Sequence, residues 1–147
     1  MGYTTDFRGS FEITPKLSNE DRIFLTKLAQ TRRMQRKLDS KYGVEGEFFV
    51  DGAGDFGQDE DKSITDYNRP PRTQPSLWLQ WIPNEDGSEL EWDGNEKFYS
   101  YIEWLQYLIT NIFKPKGYKL NGTVEWRGED WDDTGSIVVK DNKIKAS

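Results

Sequence analysis

The sequence predicts an α+β fold over residues 1–147, a single domain whose mostly antiparallel sheet carries two helices packed on one face. Three observations predict it. Apolar residues alternate along 3–13, the period of a half-buried strand, and recur at helical spacing along 98–112. The elements read in the order β-α-β-β-β-β-α-β-β. Finally, 6 Trp, 7 Tyr and 8 Phe supply enough ring area for a core although the apolar share is only 34%.

Each element has a local cause. Tyr3, Thr5, Phe7, Gly9, Phe11 and Ile13 fall on one strand face, and Pro15 ends that strand. Ser18 is an N-cap, with Glu20 and Asp21 suiting the first turn of a helix predicted from Asn19 to Leu38. Its inward residues are Phe24, Leu25, Leu28 and Ala29. Glu47 to Val50 and Ile64 to Asn68 read as short strands. Leu77 to Ile82 and Glu89 to Asp93 flank a Pro-Asn-Glu-Asp-Gly-Ser turn and read as a hairpin. Asp93 and Glu96 have the spacing of a capping box, opening a helix that runs to Phe113. Closing strands are expected at Lys119 to Arg127, Ser136 to Lys140 and Lys143 to Lys145.

Composition restricts the chemistry. There is no His and no Cys, which removes disulfides, Cys/His zinc sites, Ser-His-Asp triads and cysteine nucleophiles. Catalysis would have to run on carboxylates, Lys, Arg, Tyr, Ser or Thr, which weighs against an enzyme. No cofactor and no metal site is assigned. No apolar run approaches a membrane span, and the first twenty residues lack the apolar stretch of a secretory signal, so a cytoplasmic protein with no membrane partner is expected.

The net charge of −6 disfavours direct nucleic-acid binding. Its distribution says more. Residues 14–44 hold eight cations against three acids, whereas 51–66, 84–96 and 125–133 are each strongly acidic. An electrostatically polarised molecule is expected, with the basic helix as one pole.

Candidate sites follow from these patterns. Arg32, Arg33 and Arg36, with Lys37, would share half of a helix surface, where guanidinium forks suit a small phosphorylated ligand or a partner. Three prolines stiffen the loop at 66–75, which would present Tyr67, Asn68, Arg69 and Arg72 at low ordering cost. Five tryptophans fall where the pattern demands apolar residues; Trp131 falls in an acidic loop, where an exposed ring could anchor a partner. Gly52, Gly54 and Gly57 match a dinucleotide fingerprint only formally, because acids follow where a phosphate-binding helix should begin. Asp51, Asp55, Asp59 and Asp61 could hold a cation but lack EF-hand spacing. Glu89, Glu91, Asp93 and Glu125 would line one sheet face if their strands were neighbours, which would suit carboxylate-based, metal-dependent hydrolysis.

Several strings carry a resemblance: Tyr3-Thr-Thr-Asp-Phe7, Thr31-Arg-Arg-Met34, Asp66-Tyr-Asn-Arg-Pro-Pro71, Glu91-Trp-Asp-Gly94 and Val124-Glu-Trp126. Together they resemble a group of small uncharacterised proteins of phages and bacteria. The resemblance implies a phage or prophage origin, and by association a factor that binds and modulates a host protein. It carries no residue roles. Three readings are thus expected in order: an acidic interaction protein (in one form a charge mimic of nucleic acid), a binder of a nucleotide or similar ligand, and a carboxylate enzyme.

Overall fold

The computed structural model describes residues 3–50 and 62–147. The alternation at the start of the chain becomes β1 (Asp6–Thr14), with Phe7, Phe11 and Ile13 buried and Asp6, Arg8 and Glu12 exposed. β1 lies at the centre of a six-stranded antiparallel sheet of order β4-β5-β1-β6-β7-β8. Its partners are β4 (Trp81–Pro83), β5 (Glu89–Trp92), β6 (Lys119–Arg127), β7 (Thr134–Lys140) and β8 (Lys143–Ala146). Gly9 and Gly122 both take positive φ, and a Cβ on either would press on a carbonyl of the other strand at 2.7–2.8 Å. The β1–β6 pairing therefore requires glycine at both positions. Asp141 and Asn142, at φ 47° and 69°, make the tight turn into β8.

One face of this sheet is apolar and carries both helices. Helix α1 (Asn19–Gln30) and helix α2 (Tyr101–Leu108), which continues into a π-helical turn at Ile109–Phe113, bury Leu25, Leu28, Trp104, Leu105 and Ile112 in the same cluster as Phe11, Trp81 and Val124. Phe7 meets the rings of Trp81, Trp92, Phe98 and Tyr101 at centroid distances of 4.9–5.8 Å, mostly edge to face. A lean apolar fraction suffices because rings this large fill the space between sheet and helices.

Beside the sheet lies an arm, residues 31–50 with 62–80. It contains a two-stranded sheet of β2 (Gln35–Arg36) and β3 (Ile64–Asp66). Here the expected helix stops short. Ser18 caps α1 as anticipated, accepting from the Asp21 amide, but the helix ends at Gln30 rather than Leu38. The Thr31 hydroxyl and amide both close on the Lys27 carbonyl, and the backbone turns extended. The amides of Arg33, Gln35 and Lys37 then donate to the carbonyls of Leu77, Arg69 and Ser63. Long-range pairing has overridden local helix propensity.

Two further expectations are corrected. Residues 47–50 form no strand; the carbonyls of Gly46, Glu47 and Phe49 accept from the Arg33 guanidinium instead. Asp93 does not cap a helix; it accepts from the Asn95 amide in a local turn. Gln80 and Trp92 donate to the carbonyls of Glu96 and Asn95, which holds that segment as a loop until Tyr101. Among the described residues no helix is long and apolar enough to cross a membrane. The Gly52–Gly57 motif and the candidate cation ligands at 51, 55, 59 and 61 lie outside the described residues.

Candidate interaction surface

The arginines expected to share a helix surface are instead parted by an extended backbone. Arg33 is 1% exposed and Arg36 3%. The Arg33 guanidinium donates to the carbonyls of Phe49 (2.7 Å), Glu47 (2.8 Å) and Gly46 (3.4 Å), and to the Gln74 side-chain oxygen (3.3 Å). Burial brings its pKa down to about 10, countered by Tyr107 and Glu47, so it stays charged at neutral pH. Around it, the Tyr107 hydroxyl donates to Glu47 at 2.8 Å, Thr73 donates to the same carboxylate oxygen, and Gln74 ties to the Glu47 carbonyl. Burial first, then the bond to Glu47, raises the Tyr107 pKa. Arg36 lies over the Phe49 ring at 4.1 Å and donates to Ser63. Only Arg32 faces outward, and both of its contacts go to the Tyr67 carbonyl. These side chains fold the arm, and burial takes Arg33 and Arg36 away from any surface they were expected to share with Arg32.

The loop at 66–75 is held as its prolines suggest. Gln35 grips it through the carbonyls of Arg69 and Pro70, and Asp66 accepts from the Asn68 amide. Tyr67, Asn68, Arg69 and Arg72 are all exposed on it. Arg69 pairs with Asp66 at 3.7 Å, and Arg72 with Glu45 at 3.4 Å. Both pairs are solvent-exposed and weak.

The outer face of the large sheet is not a carboxylate cluster. β1 separates β5 from β6, and it brings Asp6 opposite Arg127 and Arg8 opposite Glu125. Charges therefore alternate between β1 and β6 at this end, whereas Glu12 faces Glu89 between β1 and β5. Among the described residues no three acids converge as a metal site requires. Of the acidic segments, 51–66 lies mostly outside the described residues. The β4–β5 turn lies at the opposite end of the sheet from the β6–β7 turn, while β5 runs back so that Asp93 leaves it toward the β6–β7 end.

Trp131 remains. It sits at the tip of the β6–β7 connection with 81% of its surface exposed, flanked by Glu129, Asp130 and Asp132, which are exposed too. The loop beneath it is fastened. The Gly128 amide donates to the Asp133 carbonyl at 2.7 Å, and the Asp133 amide to Asp130 at 2.9 Å. From the start of the chain, the Tyr3 hydroxyl donates to the Asp133 carboxylate at 2.5 Å and the Thr4 amide to Glu129 at 3.0 Å. The bond to Asp133 raises the Tyr3 pKa, keeping the hydroxyl a donor. A side chain on Gly128 would collide with the Tyr3 ring and hydroxyl, so glycine is needed where this brace closes.

Next to the tip, the outer face holds a depression of about 480 Å³ lined by Asp6, Arg8, Glu125, Arg127 and Ser136. The result is an exposed indole on a braced acidic knuckle beside a polar hollow. The ring was legible from its acidic surroundings. Tyr3 and Thr4 were not, because they read as the first residues of a strand and act here on a loop about 125 positions away.

No protein-family model, curated protein or solved structure matches this chain.

Proposed function

We propose that this chain is a non-enzymatic interaction protein that docks onto a basic protein surface through the Trp131 tip. The observation that carries the reading is an indole 81% exposed on a loop fastened by Tyr3 and Thr4. A large ring left in water forfeits the stabilisation its burial would give, and Trp is the residue type that most often anchors an interface, contributing about 2 kcal/mol or more there. The braces lower the ordering cost of binding, because the loop is already shaped. The acids around the ring steer a cationic partner toward it and repel anionic ones. That the partner is a host protein, and that docking modulates it, rests on the resemblance to phage and prophage proteins.

The test is a photo-crosslinking side chain placed at position 131 and, as control, at Val138, which is 40% exposed on β7. In lysate, position 131 is expected to give a discrete adduct that an added lysine-rich peptide competes away, and position 138 none. Equal labelling from both positions, or labelling at 131 that the peptide leaves untouched, contradicts the proposal.

A further inference from the structure

The cationic pole expected on the first helix is dismantled in the fold, and another takes its place. Lys114, Lys116 and Lys119 leave the π-helical turn and enter β6, while Lys140, Lys143 and Lys145 run along the β7–β8 hairpin, and all six are exposed. Only Lys116 has an ion pair among the described residues, with Asp21 at 3.1 Å. Three of them, Lys114, Lys119 and Lys143, line a cleft of about 360 Å³ together with Ile109, Tyr118 and Asp141. That volume lies in the range of side-chain and small-ligand pockets. Its one acid, Asp141, is turned toward Asn121, whose amide side chain donates to it at 3.4 Å.

This cleft is the chemical complement of the Trp131 tip. Lysine stems offer apolar walls to an indole, their ammonium groups can lie over its face, and they oppose Glu129, Asp130 and Asp132. Tip and cleft lie at opposite ends of the β6–β7 hairpin, whose nine-residue strand β6 sets them roughly 25–30 Å apart. A hairpin held in a sheet cannot fold one end onto the other. The tip and the cleft of one copy therefore cannot meet. We propose that the chain pairs head to tail, the Trp131 tip of one copy seated in the lysine-rimmed cleft of the next. This rests on the docking reading of the tip and names a second copy as an occupant. Such a contact uses two different surfaces, so it propagates into chains unless its rotation closes a ring.

Sedimentation equilibrium over a range of protein concentrations tests it. At low salt the average mass is expected to rise from 17.2 kDa toward and beyond twice that value, and to fall back at high salt. Trp131→Ala, which keeps the cleft, and Lys119→Glu/Lys143→Glu, which keeps the tip, should each stay monomeric. Mixed together they should form a one-to-one pair and nothing larger. If the double change unfolds the chain, Lys143→Glu alone, on the exposed edge strand, carries the same expectation. A wild-type chain that stays monomeric, an association that survives both changes, or a mixture that does not pair overturns the proposal. A dye-labelled oligolysine peptide separates the two readings. If the chain is monomeric but binds the peptide through Trp131, self-pairing falls and the docking tip stands; if the peptide does not bind either, both fall.

Discussion

Phe11 and Arg33 are equally buried, one in the large sheet and the other in the arm, and they are held in different ways. Phe11 lies against the Trp81 ring in a cluster of aromatic and aliphatic side chains. Arg33 sits among backbone carbonyls and the Gln74 side chain, a cation taking the place of a hydrophobic centre. Apolar packing is non-directional and tolerates a neighbour of similar volume. A guanidinium fork fixes where three carbonyls must point, and it does so only while its geometry is kept. The arm's shape depends on directed polar contacts centred on Arg33; the sheet's depends on apolar packing.

The largest effects should expose that asymmetry. Arg33→Ala removes the guanidinium from the Phe49, Glu47 and Gly46 carbonyls and the Gln74 side-chain oxygen at once and should cost about 3–5 kcal/mol in urea unfolding. Arg33→Lys should recover little of it, since an ammonium cannot span those acceptors. In the sheet cluster, the equally conservative Leu105→Met should cost less than about 1.5 kcal/mol. Similar losses for Arg33→Lys and Leu105→Met would erase the distinction.

A smaller effect lies where the arm meets the helical layer. Tyr107 belongs to α2 yet donates to Glu47 of the arm. Tyr107→Phe should cost about 1–3 kcal/mol, because it removes a bond to a buried carboxylate that keeps Thr73 as a donor. The measurement is again urea unfolding, and hydrogen exchange should show the added opening in residues 44–50 before it reaches β1.

The sheet side has a polar tie of its own, placed near the surface and sensitive to acid. Burial works against the ionised Asp21 carboxylate but is outweighed by bonds from Tyr118, Lys116 and Ser18, and the pKa lies below the usual 3.8. A carboxyl whose pKa is depressed on folding stabilises the fold above its unfolded value and loses that contribution as pH falls through the folded one. Stability should therefore decline as the pH drops below about 4, and Asp21→Asn should make the decline shallower. An unchanged acid limb in the variant would remove Asp21 from the account.

The same contrast explains what could be read in advance. β1, the hairpin of β4 and β5, the apolar order of 101–112 and the three closing strands were legible, because their periodicity reports burial against a single sheet face. The arm was not. Arg32 to Lys37 has good helical propensity, and nothing local says that the amides of Arg33, Gln35 and Lys37 will find carbonyls at positions 77, 69 and 63. A buried arginine reads from sequence as an exposed one, so Arg33 and Arg36 looked like ligands when they are structural centres. Trp131 was readable as the ring without an apolar partner. The lysine pole was hidden because 114–119 and 140–145 are separated in the chain and join only through β6, β7 and β8.

Trp131 should have the least effect on folding and the greatest on contact, so Trp131→Ala tests the account most directly. Its unfolding free energy should stay within about 0.5 kcal/mol of the parent, as for a surface change away from core and caps. In the same preparation, binding of a dye-labelled oligolysine peptide should weaken at least about tenfold, the loss of an anchor ring. Undiminished peptide binding, or a drop in stability that marks the indole as part of the fold, would contradict it.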